Sequence, residues 1–197
     1  MSFCVKIILC FKRGCMKKIA VIISDGFEEI EVVSVVDILR RVGAKVDVLG
    51  VGSSTVTGAH GIPVLADENF DYYSHLDYDG IVFGGGMQNA IALSENNDVL
   101  KLIEHYSQAN KMVAGICASP AVVFSKTKIL DGKNFTCYPA EELIPKVKNA
   151  NYVDKSAVVC DNIITSQSPY TAMAFSLTIA KYLGYEIDGI QKELKGN

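Results

Sequence analysis

The fold of this chain is decided by residues 111–124, KMVAGICASPAVVF, where an apolar strand runs directly into a helix. The apolar run that ends at Ile116 suits a strand covered on both faces. Cys117 falls on the tight turn between the two elements, and the amides after it lie at a helix N-terminus, which favours an anion. We therefore expect a thiol of lowered pKa beside N–H groups able to stabilise an oxyanion. An isolated cysteine at such a position is more often a small buried hydrophobe.

The same alternation of strand and helix continues on both sides of this stretch. Upstream, residues 19–24 predict a buried strand, and residues 27–42 predict a helix with Ile30 and Val33 marking successive turns. Further elements are strands at 45–51, 79–86, 134–138, 156–160 and 162–167, a turn-rich hairpin at 54–67, and helices at 98–109 and 170–183. Repeated βα units predict an α/β fold, in which helices cover both faces of an open, mostly parallel sheet.

Length and composition narrow the classes of function. The 197 residues are 49% hydrophobic and 21% charged, which indicates one folded domain and excludes disorder as the main state. The net charge of −3, without a Lys/Arg run, predicts no nucleic-acid partner. No apolar run approaches the roughly 20 residues of a membrane span, so no membrane association is expected.

The first fifteen residues, MSFCVKIILCFKRGC, differ from the rest. Their basic residues follow the apolar run, whereas a secretory signal carries its charge before it. We expect residues 1–15 to be an N-terminal extension from a misplaced start codon, and residues 16–197 to form the single domain. A short element packed on the domain surface is the alternative.

The six cysteines have no CxxC spacing, and only three histidines accompany them. A zinc site is therefore poorly supported, and a domain of this size has no need of disulfides. We therefore expect the cysteines to be reduced thiols in a cytoplasmic protein.

Two further strand ends carry groups that would complete a site around Cys117. Glycines 84–86 follow the strand that begins at residue 79, and glycine lets backbone amides approach a ligand closely. Glu31 lies between Ile30 and Val32, so burial would raise its pKa and leave it protonated at neutral pH. Glu31 is alternatively one of three glutamates that stabilise the helix dipole.

Six motifs in order identify a resemblance to the ThiJ/PfpI superfamily, in the branch of the parkinsonism-associated protein DJ-1 and its bacterial relatives. They span most of the chain from Met16 to about Tyr185: DGFEEIE (25–31), TGAHGI (57–62), FGGG (83–86), GICASPA (115–121), TCYP (136–139) and ITSQSP (164–169). The resemblance implies a flavodoxin-like three-layer α/β sandwich with a nucleophile-elbow cysteine. It also implies a homodimer.

The resemblance also assigns roles to individual residues. Cys117 matches the reactive cysteine, and Glu31 matches the glutamate hydrogen-bonded to it. Gly86 and Ala118 match the positions whose N–H groups form the oxyanion pocket. The remaining pocket candidates are Gly85, Tyr138 and His60, the last of which lies where relatives place a polar or basic residue near the dimer interface.

Departures from the family pattern reduce the number of activities to be expected of this chain. The peptidase-like branch has a histidine directly after the cysteine, where this chain has Ala118. Tyr138 replaces a histidine found in some members, and a phenol of pKa near 10 is a poor base at pH 7. Peptidase activity is therefore not expected.

We expect a cysteine-dependent enzyme of the glyoxalase III or protein deglycase type. Its substrates would be 2-oxoaldehydes or their early adducts with protein groups, its products 2-hydroxy acids, and it would need no metal or organic cofactor. The alternative is a redox-sensing or chaperone-like stress protein with an oxidisable Cys117.

Overall fold

A seven-stranded sheet lies at the centre of the computed structural model, which describes residues 16–71 and 77–196. The proposed extension at residues 1–15 lies outside the described residues. The strands are β1 (Lys18–Ile23), β2 (Lys45–Gly50), β3 (Thr55–Thr57), β4 (Pro63–Leu65), β5 (Glu68–Asn69), β6 (Gly80–Phe83), β7 (Met112–Ile116), β8 (Asn134–Phe135), β9 (Asn151–Tyr152), β10 (Ala157–Cys160) and β11 (Ile163–Ser166).

The order of strands in the main sheet is β10-β11-β7-β6-β1-β2-β5. Every neighbouring pair is parallel except β10 with β11. Because β1, β6 and β7 are adjacent and parallel, their carboxyl ends meet at one edge of the sheet, where open α/β sheets hold their sites. This edge brings together the segments that follow Ile23, Phe83 and Ile116.

Helices cover both faces, which confirms the expected three-layer α/β fold. They are α1 (Glu29–Arg41), α2 (Met87–Glu95), α3 (Asn97–Gln108), α4 (Ser119–Val122), α5 (Ala172–Tyr182) and α6 (Asp188–Lys195). One core contains buried side chains of α2, α3 and α4, and the other contains those of α1 and α5. The sheet separates the two cores, so its central strands are buried on both sides.

The predicted first helix is confirmed, and it packs on one side only. The helix begins at Glu29 and buries Val32, Val35, Ile38 and Leu39 together with its two glutamates. Ile30 and Val33, which mark successive turns in the sequence, are 57% and 53% exposed. The helix is apolar around most of its circumference, so periodicity alone does not select the side that packs.

Two helices were not predicted, because their sequences lack a start signal. The N-caps of α2 and α6 are Gly86 and Ile187, and neither provides a side-chain hydrogen bond. By contrast, Asn96 caps α3, accepting hydrogen bonds from the amides of residues 98 and 99, and α3 falls close to its predicted bounds.

The predicted strand at residues 134–138 is reduced to the two residues of β8. It pairs with β9 outside the main sheet. The hairpin at 54–67 is confirmed, since β3 and β4 pair antiparallel with Val56 opposite Val64.

Two further expectations concern membranes and thiols. Across residues 16–71 and 77–196, no helix combines the length and apolar character that crossing a membrane requires. Among the described residues, Cys117, Cys137 and Cys160 are free thiols.

Candidate active site

Cys117 occupies a strained turn at the end of β7. Its φ is +63°, in the left-handed region that costs a non-glycine residue about 1–3 kcal/mol. Two backbone hydrogen bonds hold it there: its N–H donates to the Ser166 carbonyl at 3.0 Å, and its carbonyl accepts from the Tyr138 N–H at 2.8 Å. The turn thus has the form of the expected elbow between a strand and a helix.

The glycine loop after β6 lies against this elbow because two buried side chains fix it. Asn89 donates to the carbonyls of Gly84 and Gly85, both at 3.0 Å, and accepts from the Ser24 N–H at 2.7 Å. The Ser119 hydroxyl donates to the Gly84 carbonyl at 2.6 Å. Neither support was predicted from the sequence, where the only signal of each is a polar residue within an apolar stretch.

Space at the loop requires glycine at two positions. A Cβ on Gly85 would lie 2.3 Å from Glu31 Oε2 and 2.5 Å from Cys117 Cβ. Gly86 has a φ of +88°, and a Cβ there would lie 2.0 Å from the Gly26 carbonyl oxygen. The loop therefore approaches the thiol and the carboxyl more closely than any larger residue permits.

Glu31 is fully buried and directed at the same point. Its Oε2 accepts a hydrogen bond from the Gly85 N–H at 2.7 Å, and its carboxyl is hydrogen-bonded to the Cys117 thiol. No N–H or O–H group of the described residues bonds its other oxygen, Oε1. The carboxyl is thus held through Oε2, while the buried Oε1 has no hydrogen-bond partner among the described residues.

Burial raises the pKa of Glu31 to about 8, as expected, although the hydrogen bonds from Gly85 and Cys117 oppose the shift. A carboxyl with this pKa is mostly protonated at neutral pH and ionises just above it. It is therefore suited to exchange a proton with the thiol.

The expected lowering of the Cys117 pKa is wrong in this site. Burial, followed by the negative charge of ionised Glu31, raises the pKa of the thiol to about 12. The N–H groups of Gly86 and Ala118 bond the sulfur and act in the opposite direction, but they are outweighed. The sequence pattern indicated the helix N-terminus, which lowers the pKa of a thiol. It could not indicate how far the thiol is buried, which raises that pKa.

The structure therefore brings Cys117, Glu31, Gly85, Gly86 and Ala118 to one point. Tyr138 adjoins them through its backbone bond to Cys117, and its side chain is 44% exposed.

His60 has other partners. Its Nδ1 lies 2.9 Å from Glu29 Oε2 and 3.8 Å from Glu28 Oε2, and no contact of the described residues joins it to Cys117. The hydrogen bond with Glu29, then the charges of both glutamates, raise the pKa of His60. Burial acts to raise the pKa of Glu29, but hydrogen bonds from His60 and neighbouring amides lower it to about 2.

The fold and the site together define a class of α/β proteins with a reactive cysteine. In this class the cysteine lies on a left-handed turn after a strand and faces a glycine loop and a buried glutamate. The chain belongs to the DJ-1/PfpI family, whose model matches residues 17–182.

The relatives agree in sequence and structure. Protein dj-1beta of Drosophila melanogaster is 35% identical over 91% of this chain and 96% of its own length. The crystal structure of Drosophila melanogaster DJ-1beta, 34% identical, superposes with a TM-score of 0.85 over 92% of this chain and 97% of that one. "Toxoplasma gondii DJ-1, oxidized" gives a TM-score of 0.81 at 30% identity, over 85% of this chain and 91% of that one.

Some relatives are longer. Protein DJ-1 homolog A of Arabidopsis thaliana is 37% identical over 86% of this chain, which spans 43% of that relative. The chain spans 39% of the related homolog B.

Proposed function

We propose that this chain is a cysteine-dependent enzyme that converts reactive 2-oxoaldehydes, or their early adducts with protein groups, into 2-hydroxy acids. The observation that carries the proposal is the contact of the Cys117 thiol with the carboxyl of Glu31, whose Oε1 has no N–H or O–H partner among the described residues. A nucleophile beside a base is the basic requirement of covalent catalysis.

The first step joins the sulfur to the aldehyde carbon. Ionised Glu31 takes the thiol proton as the carbon–sulfur bond forms, because a thiol of pKa about 12 supplies little thiolate by itself. The aldehyde oxygen becomes an oxyanion, which the N–H groups of Gly86 and Ala118 stabilise until it takes the thiol proton from Glu31, leaving Glu31 ionised again. The product is a hemithioacetal.

The second step moves a proton between the two carbons of the substrate. Glu31 removes the hydrogen from the carbon that bears sulfur, giving an enediolate, and the hydroxyl proton on that carbon passes to the former ketone oxygen. Glu31 then returns its proton to the former ketone carbon. The result is a 2-hydroxy thioester, because one carbon is oxidised as its neighbour is reduced. Water then hydrolyses the thioester, releasing the acid and regenerating the thiol.

These steps use only protein groups and water, so we propose turnover without an added cofactor. A side chain of Tyr138 next to the elbow would contact the substrate, and we propose a cytoplasmic location in which the thiols stay reduced. The homodimer implied by the family resemblance also remains a proposal.

Redox sensing by Cys117 is the second candidate. A related chain, Toxoplasma gondii DJ-1, was solved in a form described as oxidised. Thiolates, not thiols, are the species that peroxide oxidises readily, and the burial that raises the pKa of Cys117 leaves few of them. The raised pKa favours the enzyme, in which Glu31 removes the proton during attack.

A turnover assay with methylglyoxal and no cofactor separates the two functions. We expect the wild type to form lactate, and Cys117→Ser and Glu31→Gln to lose at least about a hundredfold in rate. Cys160→Ser removes a partly exposed thiol elsewhere and serves as the matched control, which should retain full turnover. Peroxide-dependent mass gain at Cys117 without lactate formation would instead establish the sensor.

A further inference from the structure

Three side chains capable of binding metal meet at the start of α1, apart from the Cys117 pair. Glu28 and Glu29 lie at the beginning of this helix, and His60 comes from the loop between β3 and β4. One ligand atom from each lies within 4.8 Å of the other two. Across residues 16–71 and 77–196, no other three His, Cys, Asp or Glu side chains meet this condition.

Contacts between α1 and the loop that joins β3 to β4 hold the Glu29 carboxylate in a position to bind a metal ion. Its side chain is 8% exposed, and Oε1 accepts the His60 N–H at 2.7 Å, which leaves Oε2 facing the imidazole. Gly58 provides the space, since a Cβ there would lie 2.2 Å from Glu29 Oε1. The Ala59 N–H donates to the Phe27 carbonyl at 2.8 Å and fixes the loop to the segment before α1.

The spacing of the ligand atoms suits one small cation. A tetrahedral zinc ion with bonds of about 2.0–2.2 Å keeps its nitrogen and oxygen ligands about 3.4 Å apart. His60 Nδ1 lies 2.9 Å from Glu29 Oε2 and 3.8 Å from Glu28 Oε2, two distances that bracket that spacing. In the single chain the His60 side chain is 70% exposed, which gives an ion a solvent path.

The charge of the cluster also favours a cation. The side chains of Glu28 and Glu29 are only 13% and 8% exposed, and among the described residues neither pairs with a lysine or arginine. A single imidazole faces both carboxylates. Buried carboxylates are stabilised by pairing or by a metal, and a divalent ion would neutralise both at once.

We propose that Glu28, Glu29 and His60 bind one divalent transition-metal ion of the zinc class, with water completing its coordination. The ligand set of one imidazole nitrogen and two carboxylate oxygens suits zinc, copper or cobalt rather than a thiolate-seeking ion. The site contains no cysteine and neither Cys117 nor Glu31 is among its ligands. His60 lies 31 residues after Glu29 in the chain, which is why no metal-binding spacing marks the three ligands in the sequence.

Metal binding to the full chain, freed of metal by chelator and dialysis, tests the proposal. Zinc titration by calorimetry should give about one tight equivalent per chain. His60→Ala should weaken that affinity at least about tenfold, as should Glu29→Gln. His105→Ala is the matched control, because His105 is exposed near the end of α3 and should leave the affinity unchanged.

Spectroscopy identifies the ligands independently of affinity. One equivalent of cobalt should show no sulfur charge-transfer band, and one equivalent of copper should show one coupled nitrogen by electron paramagnetic resonance. That nitrogen signal should disappear in His60→Ala and persist in His105→Ala. Equal zinc affinity of the wild type and His60→Ala, a thiolate band at the first cobalt equivalent, or absence of zinc binding would overturn the proposal.

Discussion

The Gly85 N–H donates a 2.7 Å hydrogen bond to Oε2 of Glu31, although 54 residues separate them. The bond fixes a fully buried carboxyl in a site where a Cβ on Gly85 would touch both the carboxyl and Cys117. The carboxyl is therefore positioned by the glycine loop and by the thiol at once, and the first three predictions depend on this arrangement.

Turnover of methylglyoxal should rise with pH up to about 8. Glu31 must be ionised to take the thiol proton, and burial raises its pKa to about 8, so the protonated, inactive form dominates below that value. We expect kcat/KM to increase about tenfold per pH unit below 8 and to level off above it. Measurement from pH 5.5 to 9.5 checks this, with Glu31→Gln expected to show only a flat residual rate. A profile that falls between pH 6 and 8 would contradict the role of Glu31 as base.

Ionisation of the Glu31 carboxyl should lower the free energy of unfolding at high pH. A folded-state pKa of about 8 against 4.5 unfolded means that the folded protein holds the proton more tightly. The contribution of Glu31 is therefore fully present below pH 4.5 and is lost as pH rises to 8, at about 1.4 kcal/mol per pH unit. Glu31→Gln should raise the free energy of unfolding at pH 7 by on the order of 3 kcal/mol.

Urea denaturation at pH 5, 7 and 8.5 measures this difference. The gap between Glu31→Gln and the wild type should widen from pH 5 to 8.5. The exposed Glu95→Gln is the control and should change stability by less than about 0.5 kcal/mol at each pH. Parallel curves for wild type and Glu31→Gln would show that the carboxyl is not held protonated.

Gly85→Ala should abolish turnover while the fold persists. The added Cβ would lie 2.3 Å from Glu31 Oε2 and 3.1 Å from the Cys117 sulfur, so both groups must shift. Displacement of reacting groups by about 1 Å costs roughly a hundredfold in rate. Lactate formation measures the loss, and circular dichroism checks the fold. Gly189→Ala in α6, where a Cβ meets nothing within 4 Å, is the matched control and should retain activity.

The chain should be a homodimer that uses the exposed apolar side of α1 and the adjoining hairpin. Val33 and Leu65, which are 53% and 75% exposed, line one surface groove, and Ile30 and Ile62 add apolar surface nearby in sequence. Light scattering should give twice the chain mass of 21.4 kDa, and Leu65→Lys should reduce it to one chain. Tyr170→Ser, at a residue 96% exposed elsewhere in the chain, should leave the dimer intact. A wild-type mass of one chain would contradict the prediction.

Local patterns were sufficient for the fold. The apolar runs of β1, β6 and β7 and their glycine ends predict buried parallel strands, because residues close in sequence carry that information. The position of Cys117 at the end of β7 follows in the same way. The sequence could not select the packed side of α1, because apolar residues surround most of that helix and only α5 and the sheet distinguish them.

The sequence by itself thus determined the α/β architecture and the elbow position of Cys117, because both depend on the order of neighbouring residues. The tertiary structure decided how deeply the site is buried, and burial reversed the expected direction of the Cys117 pKa shift. It also decided the support of the glycine loop by Asn89 and the meeting of His60 with Glu29. These relationships are distances between groups far apart in the chain, and only the packing of the folded molecule sets them.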